Sequence, residues 1–165
     1  MLGKLFGKKS EAKEVNVIAP ISGRLRQLEE VPDPVFAGKM VGEGIAIEPS
    51  EGLVVAPFDG EVVQLFPTLH AIGLRNKAGL EILIHIGLDT VSLEGEGFEA
   101  FVNQGDWVKM GDKLIAFDMD IINEKASSSI TPIILTNGDV VENFDLSNES
   151  SVIAGESTLI TVHLK

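Results

Sequence analysis

Three histidines, His70, His85 and His163, are the side chains in this chain best suited to reversible chemistry near neutral pH, because a neutral imidazole is nucleophilic and leaves well once protonated or hydrogen-bonded. His85 ends the run Leu80-Glu81-Ile82-Leu83-Ile84-His85-Ile86-Gly87. Read with a period of two, Ile82, Ile84 and Ile86 point to one face and Glu81, Leu83 and His85 to the other. The isoleucine face reads as core, which leaves His85 on the opposite face, close to the end of its strand. Gly87 permits close backbone approach just beyond it. His70 opens another short strand, with Thr68 before it and the small Ala71-Ile72-Gly73 after it. A lone histidine in a strand is more often a hydrogen-bonded packing residue than a reactive one. His163, at the chain end in Thr161-Val162-His163-Leu164-Lys165, is read in that way. Spacing alone leaves open whether the rings of His70 and His85 meet.

Other chemistries are weaker. His85-Ile86-Gly87-Leu88-Asp89 fits an HxxxD metal-ligand spacing, and His70 could add a third zinc ligand, yet neither HxH nor HExxH occurs. Incidental zinc at His70 and His85 is compatible with this pattern, whereas metal-dependent hydrolysis lacks a general base. Asn123-Glu124-Lys125-Ala126 partly resembles the lysine hairpin of lipoyl or biotin carriers, but no glycine follows Pro132 where the turn would need one. Neither GxxxxGK[ST] nor a kinase-like glycine loop is present, so the sequence offers no nucleotide-phosphate loop.

The chain as a whole narrows the field further. Its 165 residues suit a single domain with its own core, and they contain no apolar run long enough to span a bilayer. With no cysteine, thiol chemistry and disulfides are excluded, in keeping with a cytoplasmic protein. A net charge of −12 argues against nucleic acid as a partner and suits contact with cationic protein patches. Residues 1–14 run against this sign, with Lys4, Lys8, Lys9 and Lys13 against Glu11 and Glu14. They are expected to be a flexible tail. Leu2, Leu5 and Phe6, at i, i+3 and i+4, give residues 1–9 an amphipathic character that allows at most peripheral membrane contact.

Residues 15–165 read as one domain of short strands separated by turn residues: 15–18, 24–28, 44–47, 53–56, 61–66, 71–75, 80–86, 113–117, 133–135 and 158–164. Turns are expected at Asp59-Gly60, Ala78-Gly79, Gly111-Asp112 and Asn137-Gly138. Helical signal is confined to one turn around Phe98, Phe101 and Val102 and another at 121–126. Ile18-Ala19-Pro20-Ile21-Ser22-Gly23-Arg24-Leu25 matches Val55-Ala56-Pro57-Phe58-Asp59-Gly60-Glu61-Val62, each unit ending one strand at proline and launching the next at glycine. The fold class is therefore all-β, a compact antiparallel sandwich or barrel assembled from similar hairpin modules.

The segments His70–Arg75, Gly79–Val91 and Gly95-Glu96-Gly97-Phe98 resemble the signature of the glucose-type enzyme IIA family of the bacterial sugar phosphotransferase system. So do Ile18–Gly23, Val31–Ala37, Met40–Ile47, Thr131-Pro132 and Gly155-Glu156, and the resemblance spans residues 15–165. It implies a β-sandwich with a shallow depression holding both histidines. His85 matches the phosphorylated nucleophile, His70 the ring that hydrogen-bonds the phosphoryl group, and Thr68 the residue that orients His70. Asp33 and Asp89 match rim carboxylates. Val35, Phe36, Met40, Val41, Ile45, Phe66, Leu83 and Val91 match an apolar collar for partner docking. The implied donor is the histidine-containing phosphocarrier HPr, and the acceptor is the cysteine of an enzyme IIB domain attached to a sugar permease. No cofactor is required, and the protein is expected to act as a monomer. His85 should attack through one ring nitrogen while the other donates to a backbone carbonyl near Gly87. A purely regulatory binding role is a third reading, compatible with the first because phosphorylation would change the charge at the collar.

Overall fold

The computed structural model describes residues 13–165, so residues 1–12 of the basic segment lie outside the described residues, and Glu14 already belongs to the first strand. The architecture is an antiparallel β-sandwich. One eight-stranded sheet has the order β13 (Ser151–Val152), β2 (Gly23–Gln27), β3 (Glu43–Pro49), β11 (Thr131–Leu135), β7 (Glu81–His85), β6 (Ala71–Asn76), β5 (Gly60–Leu65), β9 (Trp107–Val108). Two three-stranded sheets complete it: β1 (Glu14–Ile18), β14 (Thr158–Leu164) and β12 (Val141–Leu146), and then β4 (Leu53–Val55), β10 (Lys113–Phe117) and β8 (Phe98–Ala100).

The repeat visible in the sequence has a structural basis. Ile18 N–H donates to Pro57 O at 3.0 Å, and its counterpart Val55 N–H donates to Pro20 O at 2.8 Å. Gly23 pairs with Val152 as Gly60 pairs with Val108. Ile45 pairs with Ile133 as Ile72 pairs with Ile84, and Ile84 and Ile133 oppose each other where the halves meet. The large sheet therefore reads the same from either end, four strands to each half, and each small sheet belongs to one half. The register equates Ile134 with His85 and Glu43 with His70.

Two apolar clusters hold this frame. The larger fills the space between the sheets and includes Ile47, Ile72, Leu74, Ile82, Ile84 and Ile86. The smaller, with Leu28, Val31, Phe36, Leu88, Ile130 and Ile134, lies on the other face of the large sheet. A short helix α1 (Pro34–Ala37) helps to cover it. Asp33 starts α1 by accepting from Val35 N–H at 2.9 Å, and Pro34 needs no N–H partner in the first turn.

Several sequence expectations are corrected. Phe98–Ala100 is strand β8, paired with β10, with the Phe98 ring against Phe117 rather than in a helical turn. Strands β12 and β13 were not expected; both are sheet edges, and β13 is only two residues long. Leu28 leaves its strand for a 3-10 turn over Leu28–Glu30. The second helical turn is extended to α2 (Met119–Lys125), capped by Asp118, which accepts from Asp120 and Ile121 N–H at 2.9 and 3.2 Å.

Candidate phosphoryl-transfer site

β7 alternates as its sequence predicts: Ile82 and Ile84 are buried, while Glu81, Leu83 and His85 lie half-buried on the opposite face. Register places Ala71, the first residue of β6, directly across from His85. The preceding turn sets the position of His70. Leu69 N–H donates to Phe66 O at 2.8 Å, and Leu69 takes a left-handed conformation, φ 59°, which a leucine adopts only when its surroundings hold it there. This turn puts Thr68 and His70 on one side of the backbone.

The two imidazoles meet. Their centroids are 5.1 Å apart at an interplanar angle of 79°. His85 Nδ1 donates to Gly87 O at 2.8 Å, the carbonyl partner expected from the sequence. A carbonyl only accepts, so the neutral ring carries its hydrogen on Nδ1 and presents a lone pair at Nε2. Thr68 Oγ1 lies 2.5 Å from His70 Nδ1. Among the described residues neither Nε2 has a protein partner and no partnerless buried side-chain nitrogen or oxygen occurs, so both Nε2 atoms reach solvent.

Phe36 stacks at a tilt on His85, centroids 4.9 Å apart, and Phe66 lies edge-on to His70 at 5.3 Å. These rings strip water from the imidazoles. Burial and, secondarily, the neighbouring His85 push the His70 imidazole down to about 4. Burial also lowers His85 below the ordinary histidine value, opposed by the Gly87 carbonyl and then by the Asp33 carboxylate. Both rings are neutral at neutral pH, and neutrality is what a nucleophilic imidazole requires.

Of the expected rim and collar residues, Val35, Met40 and Val91 are exposed, Asp33, Val41, Phe66 and Leu83 are half-buried, and Asp89 is exposed with its carboxylate bonded to the Ser127 hydroxyl. Two collar expectations are corrected. Ile45 is only 1% exposed, inside the main core, and Phe36 only 7% exposed, between His85 and the smaller cluster, so neither offers area to a partner. No cluster of three or more histidine, cysteine, aspartate or glutamate side chains arranged for a metal occurs among the described residues. Lys125 lies in the last turn of α2 and pairs with Glu96 at 2.8 Å, rather than at a hairpin tip. His163 sits on β14 beside Glu14, 3.8 Å away, far along the sequence and in another sheet from the pair.

Sequence reasoning missed Thr90, Ser127 and Ser128. Ser128 O accepts from Leu88 N–H at 2.9 Å, and Thr90 Oγ1 donates to Ile86 O at 2.6 Å. The left-handed residues Gly87 and Asp89 explain the oversight, because they fold the chain back on itself beyond the strand, where no periodic pattern applies.

A β-sandwich that brings two neutral imidazoles edge to face beside the end of a central strand has the parts of a class of proteins that use histidine as a nucleophile. The comparisons with known proteins narrow the class. Residues 15–141 match the family model for the phosphoenolpyruvate-dependent sugar phosphotransferase system, EIIA 1. The chain is 53% identical over 165 residues to the PTS system glucose-specific EIIA component of Bacillus cereus, covering 100% of both chains. It is 50% identical over 163 residues to the protein of the same name from Staphylococcus epidermidis, covering 98% of each. Its fold matches the glucose permease IIA from Mycoplasma capricolum with a TM-score of 0.81 and 42% identity, over 90% of this chain and 96% of that one. The chain belongs to the EIIA 1 family of the sugar phosphotransferase system, a family of phosphoryl-transfer components in sugar uptake. No helix among the described residues is long and apolar enough to cross a membrane.

Proposed function

We propose that this protein is a cytoplasmic, monomeric phosphocarrier that accepts a phosphoryl group from phospho-HPr on His85 Nε2 and passes it to the cysteine of an enzyme IIB domain. The observation that supports this most is the fixed tautomer of His85, whose Nδ1 is committed to Gly87 O while Nε2 keeps its lone pair and reaches solvent. In the first transfer that lone pair attacks phosphorus as the P–N bond to the HPr imidazole breaks, and the leaving ring takes the bonding electrons. In the second, the IIB thiolate attacks phosphorus and the P–Nε2 bond breaks, returning the electron pair to His85. His70 assists both: with Thr68 donating its hydroxyl hydrogen to Nδ1, the His70 Nε2–H donates to a phosphoryl oxygen. Positioning and charge stabilisation dominate such transfers, so one well-aimed donor matters.

Docking falls to the residues that remain accessible, Val35, Met40 and Val91 at the exposed rim with Val41, Phe66 and Leu83 behind them. Asp33 and Asp89 offer carboxylates to a cationic patch on either partner. No cofactor takes part, and zinc at the paired Nε2 atoms would be incidental.

Incubation with enzyme I, HPr and phosphoenolpyruvate tests the proposal. One acid-labile, base-stable phosphate is expected, lost in His85→Ala. His70→Gln should still accept phosphate at His85 and pass it on poorly. Acceptance that survives His85→Ala but is abolished by His70→Gln would reverse the two roles.

A further inference from the structure

The carbonyl that fixes the His85 tautomer lies in the turn Ile86–Thr90, which contains two left-handed residues, Gly87 at φ 70° and Asp89 at φ 60°. Such a turn does not hold its shape by itself, so the orientation of each peptide has to be set from outside. The peptide joining His85 to Ile86 is held by Ile86 N–H donating to His70 O at 2.7 Å. The peptide joining Gly87 to Leu88, whose carbonyl meets His85 Nδ1, is held by Leu88 N–H donating to Ser128 O at 2.9 Å. Between them, the Ile86 carbonyl accepts from the Thr90 hydroxyl at 2.6 Å, the one side-chain bond in this series.

Thr90 is fully buried, and its methyl group packs closely on Gly87: a Cβ built there would meet Thr90 Cγ2 at 2.7 Å and Ser128 O at 2.8 Å. One side chain thus fixes the middle peptide by hydrogen bond and closes the space into which the turn could relax. Without the hydroxyl, a buried carbonyl loses its partner and the 86–87 peptide is free to rotate, which leaves the Gly87–Leu88 peptide anchored through Ser128 O alone. Gly87 O then loses its fixed aim at His85 Nδ1.

We propose that Thr90 is a positioning residue for phosphoryl acceptance: by holding the 86–87 peptide, it aims the Gly87 carbonyl at His85 and keeps the Nε2 lone pair available. This assignment rests on His85 being the phosphoryl acceptor. Thr90 itself does not touch the phosphoryl group.

The test compares Thr90→Val, which keeps shape and removes the hydroxyl, with Thr90→Ser, which keeps the hydroxyl. Two measurements are made: long-range proton–nitrogen NMR of the His85 ring in the free protein, and the rate of phosphorylation by phospho-HPr resolved into kcat and KM. For Thr90→Val we expect a mixture of ring tautomers and a kcat lower by about tenfold, with KM for the donor unchanged. Thr90→Ser should restore a single Nδ1–H tautomer and most of the rate. A Thr90→Val protein with wild-type tautomer and rate overturns the proposal. So does equal loss in both variants, which would mean that packing alone matters. If Thr90→Val does not fold, Thr90→Ser is compared with Thr90→Ala, and identical ring spectra in the two overturn the proposal. Wild-type protein that takes no phosphate at His85 would sink the phosphocarrier reading separately, and the NMR spectra, recorded without a donor, would still decide the role of Thr90.

Discussion

His70 and His85 stand edge to face at 79°, and each is tied through Nδ1 to a group of its own, His85 to a carbonyl two residues on and His70 to a hydroxyl two residues back. The same local spacing in opposite chain directions leaves the two Nε2 atoms as the untethered ends of the pair. Each tether is short-range, so the site depends on turn conformations at least as much as on the sandwich behind it.

The first consequence concerns pH and stability. His70 is held at about 4 in the folded protein, against an ordinary value of 6.5 for an unfolded chain. Between these values the unfolded chain binds the extra proton, so stability is complete above pH 6.5 and falls as pH drops toward 4. The loss is on the order of 2 kcal/mol, discounted because the Nε2 edge reaches water. Denaturant melts from pH 7 to 4 should therefore show a shallower decline for His70→Gln than for the parent. Parallel declines would contradict the burial argument.

Phosphoryl acceptance should follow His85 instead. Because its value is lowered, the ring is more than half neutral at pH 6.5, and the midpoint of the acid decline in acceptance should lie below that pH. Initial rates of phosphorylation in a pH series check this. A midpoint at or above 6.5 would mean that burial does not govern the ring.

Gly87→Ala should be poorly tolerated. A methyl group there meets Thr90 Cγ2 and Ser128 O at 2.7 and 2.8 Å, on a backbone at φ 70°. A loss of about 2 kcal/mol or more is expected, readable as a lower melting temperature. Acceptance should fall with it, because the acceptor carbonyl belongs to the same residue.

Phe36 and Met40 should separate cleanly. Phe36 is buried against His85, and Phe36→Ala should cost about 3 kcal/mol through the cavity left in the smaller cluster. Met40 is 75% exposed, and Met40→Ala should leave stability within about 0.5 kcal/mol while raising KM for phospho-HPr. Equal stability losses in the two would refute the division between positioning and docking.

Alternation made the frame of the site legible in the sequence. The isoleucines of β7 face the core as their spacing predicts, and Lys113–Phe117 and Thr158–Leu164 are strands over the expected residues. Periodicity carries no information about turns, so the meeting of the two rings, the strained Leu69 and the hydroxyl of Thr90 could not be read from it. Phe36 misled for a related reason. It lies in a segment with no repeating pattern, and the short helix α1 that carries its ring inward was not expected. Strand β13 escaped because two residues are too few for alternation to register.

The duplicated frame has an outcome of its own. Its two halves present equivalent ledges at the centre of the large sheet, one furnished with His85 and His70 and the other with Ile134 and Glu43. The position that matches His85 is roofed: Ile134 is fully buried in the cluster that also holds Phe36, the ring that leans across to His85, while Glu43 beside it stays exposed. One copy of the module has thus become a foundation for the other, and the loop that silences the first shapes the wall of the second. An imidazole in place of Ile134 would reproduce the register of His85 and still meet no partner, because that position is sealed.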